Sequence, residues 1–494
     1  MTGQFHRRAV LGGLLAGVAA PALAGAPSTS LRPPPRGGWP PPDYGEDLGR
    51  ATVERMIRET NLSGRVAYAV VDVETGEMLA NRQGMAPMPP ASVAKALTTL
   101  YALDRLGHDH RFTTEVVTTG PVEDGVVKGD LALVGSGDPG LDTDDLYALA
   151  QQLKEAGIRA VDGRFLVWGG AIPTGPMIDP DQPVQVGYNP SFGGLNLNFN
   201  RVHFEWARKS GDYTVTMEAR GERASPATAL ARMEIVDRRG PVYDYRADRG
   251  VDAWSVSRGA LGTNGARWLP VRHPAAYAAD VFRTLMRSHG IVLDQAEFPE
   301  PRPSGRTLAS RESAPLSPML KSMLKHSTNL TAEVTGLSAT VAGQVPCATL
   351  ADSGAAMNLW LRRTYGVGGI SMTDHSGLGY RSRVTANALA RVMASASETE
   401  LPGLLKVFSV DGLKDGTVVA KTGTLNFVSA LSGYLVPPSG RRVAFAILMA
   451  DVERRNAIPP EKRERPDGAR PYEARARTLQ RAMLAHWARA AASV

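Results

Sequence analysis

The chain has 494 residues, too many for one ordinary hydrophobic core, and its 43% hydrophobic and 21% charged content is that of a folded protein, not a disordered one. The net charge of +7 favours anionic surroundings such as a membrane face or a wall polymer; the Lys and Arg residues are spread along the chain without zinc-finger or RNA-binding spacing, which argues against nucleic acid. One cysteine, Cys347, excludes an intrachain disulfide and a cysteine-rich metal centre, and the nine histidines show no HExxH pattern, so no metal and no cofactor are implied.

In chain order, Arg7 and Arg8 precede the apolar run "AVLGGLLAGVAAPALA", with Ala22 and Ala24 placed for cleavage. Residues 1–24 are read as an export signal, twin-arginine or ordinary secretory, so the mature protein is expected in the periplasm or outside the cytoplasm. Residues 25–44 form a Pro/Gly-rich tether. A helix is expected over 46–60, then the strand "RVAYAVVDV", a turn at Thr75–Gly76 and a short strand over 78–81, together a hairpin. Next comes "PPASVAKALTTLYAL". It puts Ser92 at the mouth of a helix and Lys95 one turn inside, with Val93, Leu97, Leu100 and Leu103 on one face and Gly107 at the end.

From 112 to 301, short runs such as "LALVG" and "RFLVWGG" alternate with Gly/Pro/Asp turns and predict a separate β-rich module, ahead of a return to helix in "VRHPAAYAADVFRTLMRSHGIVLD". A helical region covers "LSPMLKSMLKHSTNLTAEVTGLSAT". Three strands follow, in "GTVVAKTGTL", "SALSGYLV" and "RRVAFAILMAD". The last helix, over 473–491, gathers Ala476, Leu479, Met483 and Trp487 on one face with arginines around them. That face could lie weakly on a membrane surface. Packing on its own domain is the favoured reading, because any surface helix is amphipathic. The pattern predicts an α/β domain formed by 45–111 and 302–494 and interrupted by the β-rich insertion 112–301.

A serine hydroxyl is a poor nucleophile until a base takes its proton, and a lysine three residues along a helix shares its face. Ser92–Lys95 can therefore be a nucleophile and base, although Ser322–Lys325 repeats the spacing and shows that it is cheap. Two further elements add weight: Ser327 and Asn329 in "KHSTNLTAE", and Lys421, Thr422, Gly423 and Thr424 in "AKTGTL". Ser-x-x-Lys, Ser-x-Asn and Lys-Thr-Gly together are the signature of penicillin-recognising serine enzymes.

On "ASVAK", "GSGDPGL", "STN", "DHSGL" and "AKTGTLNFVSALSGYL", the chain resembles the class C low-molecular-mass penicillin-binding proteins, the D-alanyl-D-alanine carboxypeptidase/endopeptidase family. The long gap between Ser92 and Ser327 resembles that family too. The resemblance implies an α+β fold, an antiparallel sheet flanked by helices and interrupted by inserted domains. It implies an exported serine D,D-peptidase that trims and uncrosslinks peptidoglycan stem peptides and is acylated by β-lactam antibiotics. Ser92 would be the nucleophile, Lys95 its base and Ser327 a proton relay. Asn329 would bind substrate and orient Lys95, and Lys421, Thr422 and Thr424 would hold the terminal carboxylate. Gly423 would leave room for the substrate, and the N–H groups of Ser92 and Thr424 would form an oxyanion hole. The alternatives are a β-lactamase- or esterase-like hydrolase on the same scaffold, or a wall-binding protein without catalysis.

Some residues fall outside these motifs. His375 stands in "DHSGL" where the family usually has a small residue. Asp374, His375 and Ser376 do not make a triad, because adjacent side chains diverge. Asp138 is read as part of a positioning turn. Asp179 and Asp181 would be either a solvated loop or a contact to a diaminopimelate side chain. Cys347 is expected to be a buried, inert thiol.

Overall fold

An apolar run unbroken by polar residues suits a strand covered on both faces. The computed structural model describes residues 48–410, 413 and 416–492, and in it Val443–Ala450 is such a strand, buried at every position. It lies inside a six-stranded sheet in the order Lys406–Val407, Thr417–Leu425, Val428–Val436, Val443–Ala450, Arg65–Asp72, Met78–Arg82. Every neighbouring pair is antiparallel. Arg65 faces Ala450 and Asp72 faces Val443, so one pairing joins the two ends of the chain. The expected signal and tether lie outside the described residues.

Strand alternation sorts the side chains by size. Ala67, Ala69, Ala444, Ala446 and Leu448 face the helices Ala94–Leu106 and Ala386–Ser395. Tyr68, Val70, Phe445, Ile447 and Met449 face the helices Arg50–Thr60 and Ala469–Ala492. Alanines on the first face let the helix Ala386–Ser395 come close to the sheet. On the second face the last helix buries Ala476, Leu479, Met483 and Trp487. Burial is worth roughly 1.5–3 kcal/mol for a side chain such as Leu479 or Met483. The apolar stripe read as a candidate membrane face is therefore covered by the protein's own sheet.

The interrupting segment has its own core. Its main sheet runs Ala296–Glu297, Phe165–Trp168, Leu131–Gly135, Thr113–Thr118, Arg306–Glu312. The last of these strands pairs with Thr113–Thr118 and lies past position 301, so the inserted sheet extends beyond the boundary expected there. The segment is not purely β: the helices Thr143–Glu155 and Pro274–Ser288 bury Leu146, Leu149, Phe282 and Leu285 against that sheet. A third apolar cluster sews the two parts together, with Ile172, Ile178 and Phe192 against Leu330, Val334, Leu337 and Leu378. The "GSGDPGL" stretch is a turn at the end of the central strand Leu131–Gly135. There Asp138, nearly buried, accepts from the Gly140 N–H at 2.8 Å, and burial pushes its carboxyl up to about 6.

Candidate active site

Ser92 lies in a short 3₁₀ turn, Ala91–Val93, and not in the first turn of the α-helix, which begins at Ala94. Ala91 before it is left-handed, φ 47°, a conformation that costs a non-glycine residue of order 1 kcal/mol and is held by its surroundings. The helix Ala94–Leu106 is more buried than its one-face pattern suggests: every residue from Ala94 to Ala102 is inside. Lys95 is 0% exposed. A lysine so placed must either find partners or lose its proton.

Its amine does both. Lys95 Nζ lies 3.0 Å from Ser92 Oγ, 2.7 Å from Asn329 Oδ1 and 2.9 Å from the Ser376 carbonyl oxygen. The amide and carbonyl oxygens only accept. A neutral amine has two N–H donors and one lone pair, so the donors satisfy those two oxygens and the lone pair is left facing the Ser92 hydroxyl. Burial, reinforced by the positive charge of Lys421, brings the Lys95 amine down to about 7. The orientation of Asn329 is fixed from its other side, where Nδ2 donates to the Tyr188 carbonyl at 2.8 Å. Tyr188 belongs to the inserted segment, which thus orients a residue touching Lys95.

Ser327 and Asn329 straddle a helix junction. The helix Leu316–His326 ends at Ser327, φ 60°, and Asn329 opens the helix Asn329–Ala342. Lys421 Nζ donates to Ser327 Oγ at 3.1 Å and to the Thr422 carbonyl at 2.8 Å. Burial brings Lys421 down to about 8. At Gly423, expected to leave room for substrate, the close neighbour is the protein's own backbone: a Cβ there would stand 2.9 Å from the Ser92 nitrogen and 3.0 Å from the Pro90 oxygen. Only glycine lets this strand pass so near the serine. All eight motif residues thus converge on one place, where Ser92, Ser327, Asn329, Thr422 and Thr424 line a cleft of about 810 Å³. Ser322 and Lys325, the repeat of the first motif, are exposed on another helix.

Sequence reasoning missed the layer beneath. Glu333, one turn after Asn329 and fully buried, accepts from the backbone N–H of His375 at 2.8 Å and of Ser376 at 2.9 Å. It thereby holds the loop whose carbonyl meets Lys95. Burial and the nearby Asp374 push its carboxyl up, against the pull of those N–H groups. Asp374 is buried too, accepts from Gly379 N–H at 2.7 Å and from the Ser382 hydroxyl, and is raised chiefly by burial. The available signal was that Glu333 is the one charged residue of "NLTAEVTGLSATVA".

His375 points away from Ser92. Its Nε2 lies 2.7 Å from Ser353 Oγ, which continues to Thr340 at 2.6 Å. Burial brings the imidazole down to about 3, so it is neutral. Space for it exists because residue 336 is glycine, where a Cβ would lie 2.1 Å from the ring. Asp179 is nearly buried, unlike a solvated loop, and accepts from Gln182 Nε2 at 3.0 Å; Asp181 is largely exposed. Cys347 is half-buried, not enclosed, and burial raises its thiol.

Residues 50–468 match the profile of the D-Ala-D-Ala carboxypeptidase 3 (S13) family. A D-alanyl-D-alanine carboxypeptidase of Actinomadura sp. (strain R39) is 29% identical over 441 residues, spanning 81% of this chain and 80% of the relative. The D-alanyl-D-alanine carboxypeptidase DacB of Haemophilus influenzae is 24% identical over 427 residues, 80% of this chain and 87% of that one. Among solved structures, penicillin binding protein 4 (dacB) from Haemophilus influenzae shares the fold with a TM-score of 0.71 at 21% identity, covering 87% of this chain and 99% of that chain. The chain belongs to the D-Ala-D-Ala carboxypeptidase 3 (S13) family, and is a serine D,D-peptidase acting on peptidoglycan.

Proposed function

We propose that the protein is exported and removes terminal D-alanine from stem peptides, and cuts cross-links between them, through an acyl-enzyme on Ser92. The observation that carries the assignment is the Lys95 amine, enclosed among Ser92 Oγ, Asn329 Oδ1 and the Ser376 carbonyl. Lys95 takes the Ser92 proton as Oγ adds to the penultimate D-alanyl carbonyl. The backbone N–H groups of Ser92 and Thr424 receive the developing oxyanion. The C–N bond then breaks, and the departing amine takes a proton by way of Ser327. Water hydrolyses the ester and frees Ser92.

The substrate enters as an added strand. Among the described residues, Lys406–Phe408 covers the Thr417–Leu425 edge opposite Val418, Val419 and Ala420. Lys421, Thr422 and Thr424 lie beyond and hold the terminal carboxylate, while Gly423 permits the approach. Asn329 holds the substrate's amide. Residues 45–111 and 302–494 carry the catalytic domain, with 112–301 inserted and the strand Arg306–Glu312 completing the inserted sheet. β-Lactams acylate Ser92 and stall there. Arg7, Arg8 and the run after them support export to the periplasm, by either route, and among the described residues no helix is long and apolar enough to cross a membrane.

The test is a labelled penicillin followed by mass spectrometry of the digest. The label is expected on the Ser92 peptide and is absent from Ser92→Ala, whose peptidase activity falls by on the order of 10⁴-fold. A label on Ser322, or none, overturns the assignment.

A further inference from the structure

A second cavity, of about 360 Å³, shares the strand that carries Lys421–Thr424. Thr422 and Thr424 border both it and the Ser92 cleft. The cleft takes in Leu425 and Asn426, and the second groove takes in Ala420 and Lys406–Ser409. Four cations line the groove: Lys325, Lys406, Arg477 and Arg481. Among the described residues, the one carboxylate ion-paired with any of them is Glu473, on Arg477. Arg481 also lies over the Phe408 ring, 5.9 Å from its centroid. Surface cations are usually offset by nearby acids, and a groove with several left over is an anion receptor.

The leaving half of a substrate must lie on the side of the proton donor. Ser327, held by Lys421, lines the cleft together with Thr422 and Thr424, and those two threonines also border the groove. When the leaving group is free D-alanine it is too small to go farther. When it is the second stem of a cross-link, the rest of that stem continues past the strand edge. A stem peptide carries carboxylates on its isoglutamyl and diaminopimelyl residues. We propose that the groove lined by Lys325, Lys406, Arg477 and Arg481 binds the anionic leaving stem of a cross-linked substrate and so favours cross-link cleavage. This rests on the Ser92 reading above.

The test compares two substrates on one enzyme. The triple variant Lys325→Gln, Lys406→Gln, Arg481→Gln is assayed on a cross-linked muropeptide dimer and on a monomeric pentapeptide. Loss of three exposed charges predicts roughly a tenfold fall in kcat/KM for the dimer, carried by KM. D-Alanine release from the pentapeptide is expected to stay within about twofold. Equal change, or no change, on the two substrates overturns the proposal. So does a variant that cleaves the dimer normally but is retained less on whole wall sacculi, which would make the groove an anchor for an anionic polymer. Penicillin labelling of Ser92 is read on the same samples: parent enzyme that fails to label sinks the Ser92 reading itself. Should the variant not fold, the parent decides. Its dimer cleavage must fall more steeply with added salt than its pentapeptide cleavage, and parallel slopes overturn the proposal.

Discussion

In water a lysine amine at neutral pH is a cation and has no lone pair to offer. Lys95 escapes this because it is enclosed and because Lys421 is near, so its proton is held only up to about pH 7. Lys421 has the opposite duty in the proposed cycle, to stay charged for a carboxylate, and it loses its proton near pH 8. Penicillin acylation is therefore expected to rise as pH climbs through about 7, when Lys95 becomes free amine, and to fall above about 8, when Lys421 discharges. Measuring the acylation rate from pH 5 to 10 checks both limbs; a flat profile contradicts the roles. Glu333 positions the Ser376 carbonyl, and its carboxyl, pushed up to about 8, stays largely protonated while Lys95 titrates. Glu333→Gln, the neutral isostere, should therefore leave the acid limb in place and cut the maximal rate by about tenfold, because the loop loses one of its two acceptor bonds. A shift of that limb to lower pH would show instead that Glu333 is charged beside Lys95.

At the scale of elements, two helices and a loop are locked by one pairing of small and large. Gly336 on the helix Asn329–Ala342 receives the His375 ring, and the ring's Nε2 ties to Ser353 on the helix Leu350–Tyr365. This answers the departure seen in "DHSGL": a large residue is accommodated because its neighbour is glycine. Gly336→Ala should destabilise the protein by about 1–3 kcal/mol, the usual consequence of overpacking. Adding His375→Ser should recover part of that loss, and a denaturant-melt double-mutant cycle should return a favourable coupling of about 1 kcal/mol or more. Strict additivity would show that the ring and the glycine do not share the space.

At the scale of the whole molecule, the inserted segment does more than occupy the middle of the chain. It supplies the Tyr188 carbonyl to Asn329, and it grips the loop on the far side of the cleft. Gln185 Nε2 reaches Glu464 at 2.5 Å, Arg267 reaches the same carboxylate at 2.8 Å, and Arg463 donates to the Asp181 carbonyl at 2.8 Å. Glu464 also lines the cleft. These groups are about a quarter exposed, so the ion pair itself is worth only about 1 kcal/mol. Glu464→Ala should barely lower the melting temperature, yet raise KM for stem peptides several-fold by loosening one wall of the cleft. A loss of stability with KM unchanged would mean that the contact only braces the fold.

The sequence by itself singled out the eight motif residues, because the proposed nucleophile, base and carboxylate cradle each need a particular residue type at a spacing that local structure imposes. It pointed to the sheet as well: the apolar runs at 65–72, 428–436 and 443–450 are short, rich in β-branched and aromatic residues and bounded by turns, which suits buried strands. What the tertiary structure decided was everything that depends on distant segments meeting. The spacing of Ser92 and Lys95 is the same as that of Ser322 and Lys325, and only the burial of Lys95, against Asn329 and the Ser376 carbonyl, separates the proposed base from a surface cation. The loop that Glu333 holds, the glycine opposite His375, the strand at 306–312 that completes the inserted sheet, and the basic groove beside Thr422 were likewise not legible along the chain. Their meaning lies in what faces them, and residues far apart in sequence come face to face only when the core closes.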